Sequence, residues 1–146
     1  MNWSEVAEMT GEYQHSIDTK GRLFIPAKLR EELGDTFYVT ISFEKCLTVY
    51  SDANWANFTD KFNSLPYSKT KAMRPIFAKA AKCELDAQGR ILLPQNLRQI
   101  AGLKKDVTVV GVSNHAEIWD TAAWRAVEEE ELSPEKLASV MDELGF

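Results

Sequence analysis

One short phrase occurs twice in the chain, as Asp18-Thr19-Lys20-Gly21-Arg22 and again as Asp86-Ala87-Gln88-Gly89-Arg90. Each copy runs on into three apolar residues, a proline (Pro26, Pro94) and an arginine (Arg30, Arg98). Further along, Leu29 matches Leu97, Gly34 matches Gly102, Val49-Tyr50 echoes Ile118-Trp119 after a one-residue slip, and Trp55 corresponds to Trp124. Self-similarity on this scale marks one supersecondary unit used twice, each copy covering roughly 50 residues or more. A unit that small is marginal on its own, which favours two copies built around one shared core. The 146 residues suit such an arrangement.

Within each copy the pattern predicts strand, loop, strand, short helix, strand, strand. Tyr13, His15 and Ile17 alternate with Gln14, Ser16 and Asp18, and Leu23-Phe24-Ile25 follows beyond a tight Asp/Gly loop, the signature of two short joined strands. Pro26 suits the first turn of a helix over 27–33, which Gly34 stops. The second copy repeats this with Glu84-Leu85, Ile91-Leu92-Leu93, a helix over 94–101, and Gly102. Two β-rich runs come next in each copy, 37–43 with 46–50 and 107–112 with 115–119, with hairpin turns at Glu44-Lys45 and Ser113-Asn114.

Longer helices close each copy. Asp52 is placed to cap one whose apolar face is Trp55, Phe58, Phe62 and Leu65; these aromatics read as core. Asp120 is placed to cap another carrying Trp124 and Val127, and Ser133-Pro134 starts a last one through Leu137, Val140, Met141 and Leu144. The stretch 68–81 reads as helical, kinked or begun at Pro75. The expected fold class is α+β, divided into a first repeat (11–54), connecting helices (55–81), a second repeat (82–125) and a C-terminal helical segment (126–146).

Several function classes lose ground here. No apolar run approaches the roughly 18 residues of a membrane span, and Glu5 and Glu8 near the start do not suit a secretory leader, so the expectation is a cytoplasmic protein without membrane contact. Cys46 and Cys83 lack the spacing of a zinc site and read as small apolar strand residues, so no metal is expected. His15 and His115 have no nucleophile or acid partner motif, no Gly-rich phosphate loop is present, and 18–22 lacks the oxygen series of a calcium loop. The expectation is therefore no catalysis, no cofactor and no small-molecule substrate.

The net charge of −5 argues at first against a polyanionic partner. Its distribution argues otherwise. Lys69, Lys71, Arg74, Lys79, Lys82, Arg90 and Arg98 outweigh Glu84 and Asp86 over 69–98, whereas the chain beyond Glu117 is acidic around Glu128-Glu129-Glu130-Glu131, a run that reads as a solvated helix face.

In the repeated loop, the carboxylate of Asp18 or Asp86 can accept from backbone N–H groups a few residues on and so fix the turn. Gly21 and Gly89 supply a positive φ or a close backbone approach. Arg22 and Arg90 then stand at the start of a strand, held for bidentate recognition. Two readings of these arginines compete: an exposed ion pair with the loop's own aspartate, worth about 0–1 kcal/mol, or a contact with a polyanion.

The two phrases, the Ile-Pro and Leu-Pro helix starts and the Glu117-Ile118-Trp119-Asp120 stretch resemble the MraZ family, transcriptional regulators built from tandem AbrB-type repeats. The resemblance covers nearly the whole chain. It implies a swapped-hairpin β-barrel with peripheral helices. It further implies a nucleoid-associated homo-oligomeric ring that binds double-stranded DNA at short direct repeats upstream of the division and cell-wall gene cluster containing its own gene. The loop arginines, Arg22 and Arg90, are the residues expected to face DNA; Lys20, Lys28, Arg30 and Arg98 are candidates for phosphates, and Asp18, Gly21, Asp86 and Gly89 for shaping the loops. Lys20 is replaced by Gln88 in the second copy. An antitoxin-like AbrB-fold binder of DNA and protein is the neighbouring reading, although such proteins usually carry one repeat and a disordered tail.

Overall fold

A computed structural model of the chain describes residues 7–146; Glu5, used above in reading the N-terminus, lies outside the described residues. The first copy comprises β1 (Glu12–Ser16), β2 (Arg22–Phe24), α1 (Ala27–Leu33), β3 (Thr36–Ile41) and β4 (Leu47–Ser51). A connector follows with α2 (Asp52–Ser64), α3 (Tyr67–Thr70), a 3-10 turn (Lys71–Met73) and α4 (Arg74–Ala78). The second copy comprises β5 (Ala81–Glu84), β6 (Arg90–Leu92), α5 (Gln95–Ile100), β7 (Asp106–Val112) and β8 (His115–Asp120), and α6 (Thr121–Glu131) and α7 (Pro134–Glu143) complete the chain. Pro26 and Pro94, with φ of −52° and −55°, stand immediately before α1 and α5 and pre-set the backbone for helix entry.

The strands of a copy do not pair in chain order. The loop joins β1 to β2, but β1 runs antiparallel to β7 of the other copy, Tyr13 opposite Val109. Symmetrically, β5 runs antiparallel to β3, Cys83 opposite Phe37. One six-stranded sheet results, in the order β1-β7-β8-β4-β3-β5, and β2 pairs with β6 in a separate two-stranded ribbon. The closed barrel implied by the family likeness is thus corrected to an open sheet with β1 and β5 at its edges. The two strands that would bridge those edges are three residues long and hydrogen-bond to each other instead.

Matching positions of the two copies meet in one core. Leu23 with Ile91, Ile25 with Leu93, Leu29 with Leu97, and Leu33 with Ala101 are all buried, alongside Phe37, Val39, Leu47, Val49, Val107 and Ile118. Each buried Leu, Ile, Val or Phe among them contributes about 1.5–3 kcal/mol. On the outer face of β3 and β4, Tyr38 stacks on Trp55 at 4.9 Å, Trp55 on Phe58 at 5.6 Å, and Phe62 meets Phe77 at 4.5 Å, an aromatic seam that fastens α2 and α4 to the sheet.

Three expectations shift by short distances. Ser51, not Asp52, caps α2, its Oγ accepting from Asn54 N at 3.1 Å, while the Asp52 carboxylate accepts from Thr36 Oγ1. Asp120 precedes α6 but its Oδ1 accepts from Lys104 N at 3.2 Å instead of capping the helix. Both helices follow directly on the two central strands of the sheet, β4 and β8, and each carboxylate is taken up by a neighbouring segment, Asp52 by the start of β3 and Asp120 by the loop before β7. The stretch 68–81 divides, with Pro75 in the first turn of α4 and β5 starting at Ala81.

Because each copy completes its sheet with strands of the other, the chain is expected to unfold in a single transition, and Leu23→Ala, at a fully buried position, to lower stability by about 2–5 kcal/mol. Urea titrations followed by far-UV circular dichroism and by tryptophan fluorescence should coincide in both proteins; separate transitions would divide the core.

Candidate nucleic-acid interface

The two repeated loops are built alike from the backbone outward. Asp18 Oδ1 accepts from Lys20 N and Arg22 N, both at 2.9 Å, and its Oδ2 from Arg22 Nε at 2.8 Å. Asp86 does the same with Gln88 N, Arg90 N and Arg90 Nε, each at 2.9 Å. The bond from the backbone of the loop arginine, ahead of the arginine side chain, holds each carboxyl below its ordinary 3.8. Gly21 N donates to Asp18 O and Gly89 N to Asp86 O, both at 3.0 Å, closing the turns.

Gly21 and Gly89, at φ of +84° and +79°, adopt a conformation that a side chain resists. That turn aims each glycine carbonyl at the opposite copy. Ile25 N donates to Gly89 O at 3.0 Å and Leu93 N to Gly21 O at 2.9 Å, extending the β2–β6 ladder and setting the loops side by side. Space at each glycine is taken up by an arginine of the other copy: a Cβ on Gly21 would stand 2.9 Å from Arg98 Nη2, and one on Gly89 would overlap Arg30 Nη1. Arg98 is further tied through Nε to Leu93 O at 3.1 Å.

In the ribbon register Arg22 faces Leu92 and Phe24 faces Arg90. Directly opposed residues share a face, so these four side chains stand together while Leu23 and Ile91 between them are buried. Arg22 and Arg90 each turn Nε to their own aspartate, so the ion-pair reading holds at both loops. That bond leaves the Nη side of each guanidinium outside it. Arg90 lies 5.9 Å over the Phe24 ring, with Nη1 3.9 Å from Asp18.

Phe24 and Leu92, 45% and 62% exposed, belong to this surface, a place the sequence reading, which took their runs only as strands, did not give them. The period-two alternation Arg-Leu-Phe and Arg-Ile-Leu was the signal that could have separated them. Lys20 is exposed at the first loop's tip. Lys28 is exposed on α1 beside Glu8, Glu31 and Glu32, so its charge stands among carboxylates. Arg30 borders a hollow with Asp35 and Asp86. Lys20, Arg22, Arg30, Arg90 and Arg98 thus gather on or against two loops whose own carboxylates are Asp18 and Asp86.

His115 Nε2 meets Glu117 Oε2 at 3.0 Å, a partner the sequence reading did not give it, and Trp119 Nε1 donates to the other oxygen at 2.9 Å. The His115 hydrogen bond is the main cause that lowers the Glu117 carboxyl below its usual range. The nearest thiol does not extend this group toward nucleophilic chemistry, since burial first and Glu117 second push Cys46 up to about 12. Burial pushes Cys83 to about 11. Among the described residues, no three His, Cys, Asp or Glu side chains cluster as a metal site would require, and no helix is long and apolar enough to cross a membrane.

These features define a two-copy α+β protein that displays a short cationic and apolar β-ribbon. The family model described as "MraZ protein, putative antitoxin-like" matches twice, over residues 9–74 and 76–143. The chain is 48% identical over 140 residues to the transcriptional regulator MraZ of Acetivibrio thermocellus, covering 93% of this chain and 98% of that protein. It is 46% identical to the protein of that name from Caldicellulosiruptor saccharolyticus over 94% of this chain and 99% of the other, and 52% identical to that of Moorella thermoacetica over 78% and 82%. This chain belongs to the MraZ family.

Gly89→Ala should cost more stability than Gly21→Ala: both acquire the strain of a left-handed alanine, about 1–2 kcal/mol, and both press on an arginine of the other copy, but the overlap with Arg30 at Gly89 is far deeper than the 2.9 Å approach to Arg98 at Gly21. Pairing Gly89→Ala with Arg30→Ala in a denaturation cycle should recover the excess; equal costs without coupling would refute the packing role. The lowered carboxyls make a second expectation. An aspartate more acidic folded than unfolded adds stability that is present above the unfolded pKa and lost as pH falls through the folded one. The amide resonances of Lys20, Arg22, Gln88 and Arg90 should therefore shift with a midpoint below the ordinary aspartate value of 3.8; a midpoint at or above it would refute the bonding.

Proposed function

We propose that this protein is a sequence-specific DNA-binding transcriptional regulator with no catalytic step. The observation that carries the reading is the outer face of the β2–β6 ribbon, where the exposed Phe24 and Leu92 share a side with the half-buried, aspartate-tied Arg22 and Arg90. A major groove about 12 Å wide admits a two-stranded ribbon, an arginine there pairs in bidentate fashion with guanine, and an apolar side chain meets the thymine methyl. Arg22 and Arg90 are the base-reading residues, oriented through Nε by the Asp18 and Asp86 bonds, with Arg90 Nη1 released from its longer contact with Asp18 when it meets DNA. Lys20 positions a phosphate; Lys28 contributes less because of its acidic neighbours, and Arg30 and Arg98 chiefly brace the opposite loop with their remaining charge available to phosphates.

Family membership and the printed name of the relatives, transcriptional regulator MraZ, support the class. The finer reading is that the protein acts in the cytoplasm on the nucleoid, at short direct repeats upstream of the division and cell-wall gene cluster that includes its own gene, as a multimeric ring. The cross-copy pairing of β1 with β7 and β5 with β3 fits the swapped-hairpin plan of AbrB-type repeats. Several ribbons on one duplex would add avidity to a weak single contact.

The test is a gel shift with DNA from upstream of the chain's own gene. Arg22→Ala with Arg90→Ala should lose at least tenfold in affinity, at about 1–3 kcal/mol per lost guanine contact, while circular dichroism stays unchanged. Binding should also fall steeply between low and moderate salt. Full binding by the double variant would take the ribbon out of the mechanism.

A further inference from the structure

We infer that the C-terminal helix of one copy docks, head to tail, into a groove along α2 of a second copy of this chain. Helix α7 holds ten residues, and every residue from Pro134 to Phe146 is exposed. Isolated helices shorter than about 12–15 residues are marginal in water, so a helix this short with no buried residue calls for a partner. Its apolar residues Leu137, Val140, Met141 and Leu144 are 49–67% exposed and fall at i, i+3, i+4 and i+7, the anchor spacing of a helix laid into a groove.

A groove of fitting chemistry lies elsewhere on the same chain. Phe58, Phe62, Leu65 and Met73 line it, with Lys61 and Asn57 at its polar edge. The segment that supplies Met73 carries Lys69, Lys71 and Arg74, whereas α7 carries Glu135, Asp142 and Glu143 against the single cation Lys136 and follows Glu128 to Glu131 of α6. Within the chain α7 folds back toward α6, sharing a hollow lined by Val127, Glu130, Glu131, Lys136, Leu137 and Val140, with Lys136 Nζ bonded to Glu130 O, and so presents a mainly acidic, apolar edge that matches the basic, apolar groove. Charge complementarity of this kind selects the partner and its orientation.

Donor helix and acceptor groove are different surfaces, so the contact is heterologous. Repetition of such a contact closes a ring when the rotation permits. This inference deepens the multimeric reading above and rests on it, and it assigns the surfaces that make the multimer.

Sedimentation of the full chain tests it. The unmodified protein should sediment as a multimer, whereas Leu137→Asp with Met141→Asp, which spoils the helix, and Leu65→Asp, which spoils the groove, should each sediment as monomers with unchanged circular dichroism. Mixed in equal amounts, the two variants should form a dimer and stop there, because each retains one intact surface. As a check that leaves the apolar contact alone, Lys61→Glu with Lys71→Glu and Glu135→Lys with Glu143→Lys should each weaken assembly at least tenfold, and a mixture should recover it. A monomeric unmodified protein, full assembly by the variants, or mixtures that stay monomeric would each overturn the inference. So would assembly lost on deleting the residues before Ala7, whose backbone is bonded to Asn54 beside the groove, while the helix variants still assemble. Arg22→Ala with Arg90→Ala should leave sedimentation unchanged, which separates failure of this contact from failure of the DNA reading.

Discussion

Two reciprocal backbone bonds, Leu93 N to Gly21 O and Ile25 N to Gly89 O, hold the centre of this molecule. They exist because each loop glycine takes a positive φ and so turns its carbonyl toward the other copy. From them follow the β2–β6 ribbon, the side-by-side loops, and the burial of Leu23 against Ile91 in a core neither copy could close alone. Neither loop has a complete environment without its counterpart, since the arginine packed on each glycine comes from the other copy. The duplication is therefore a requirement of the architecture as well as a trace of its origin.

Charge in this protein is organised by place. The carboxylates nearest the loop arginines are engaged as acceptors for backbone N–H groups, so they orient the guanidinium groups while only partly offsetting them. Acidic side chains gather instead around α6 and α7, and the net charge of −5 is largely theirs. A cationic surface and an acidic one can coexist on one small chain because exposed charges beyond about 10 Å are screened at ordinary ionic strength.

Much of this was legible before any coordinates. Helix α1 occupies 27–33 as the Pro26 and Gly34 punctuation predicts, the turn at Ser113-Asn114 falls between β7 and β8, and Ser133 caps α7 through its bond from Lys136 N. The Asp-x-x-Gly-Arg loop forms the bonds its residue types suggest. What was not legible involves partners distant in sequence. The alternating run at 13–17 announces a strand but says nothing of whether β2 or β7 will pair with it. Arg30 and Arg98 are ordinary surface cations by sequence, and only the approach of the opposite loop makes them braces. Phe24 and Leu92 sit in apolar runs whose middle member faces outward because the ribbon has just one buried side.

The residues alone settled most local matters: the start and stop of helices punctuated by proline and glycine, such as α1, which turns need glycine, that a unit is used twice, and which side chains share a strand face. These depend on φ/ψ sterics and hydrogen bonds within a few residues, which the sequence states directly. Tertiary structure decided the exchange of strands between copies, the opening of the sheet at β1 and β5, and the gathering of five cations at paired loops. Each of those depends on long-range pairing, where several registers satisfy the same local pattern and only the complete burial of the shared core selects among them.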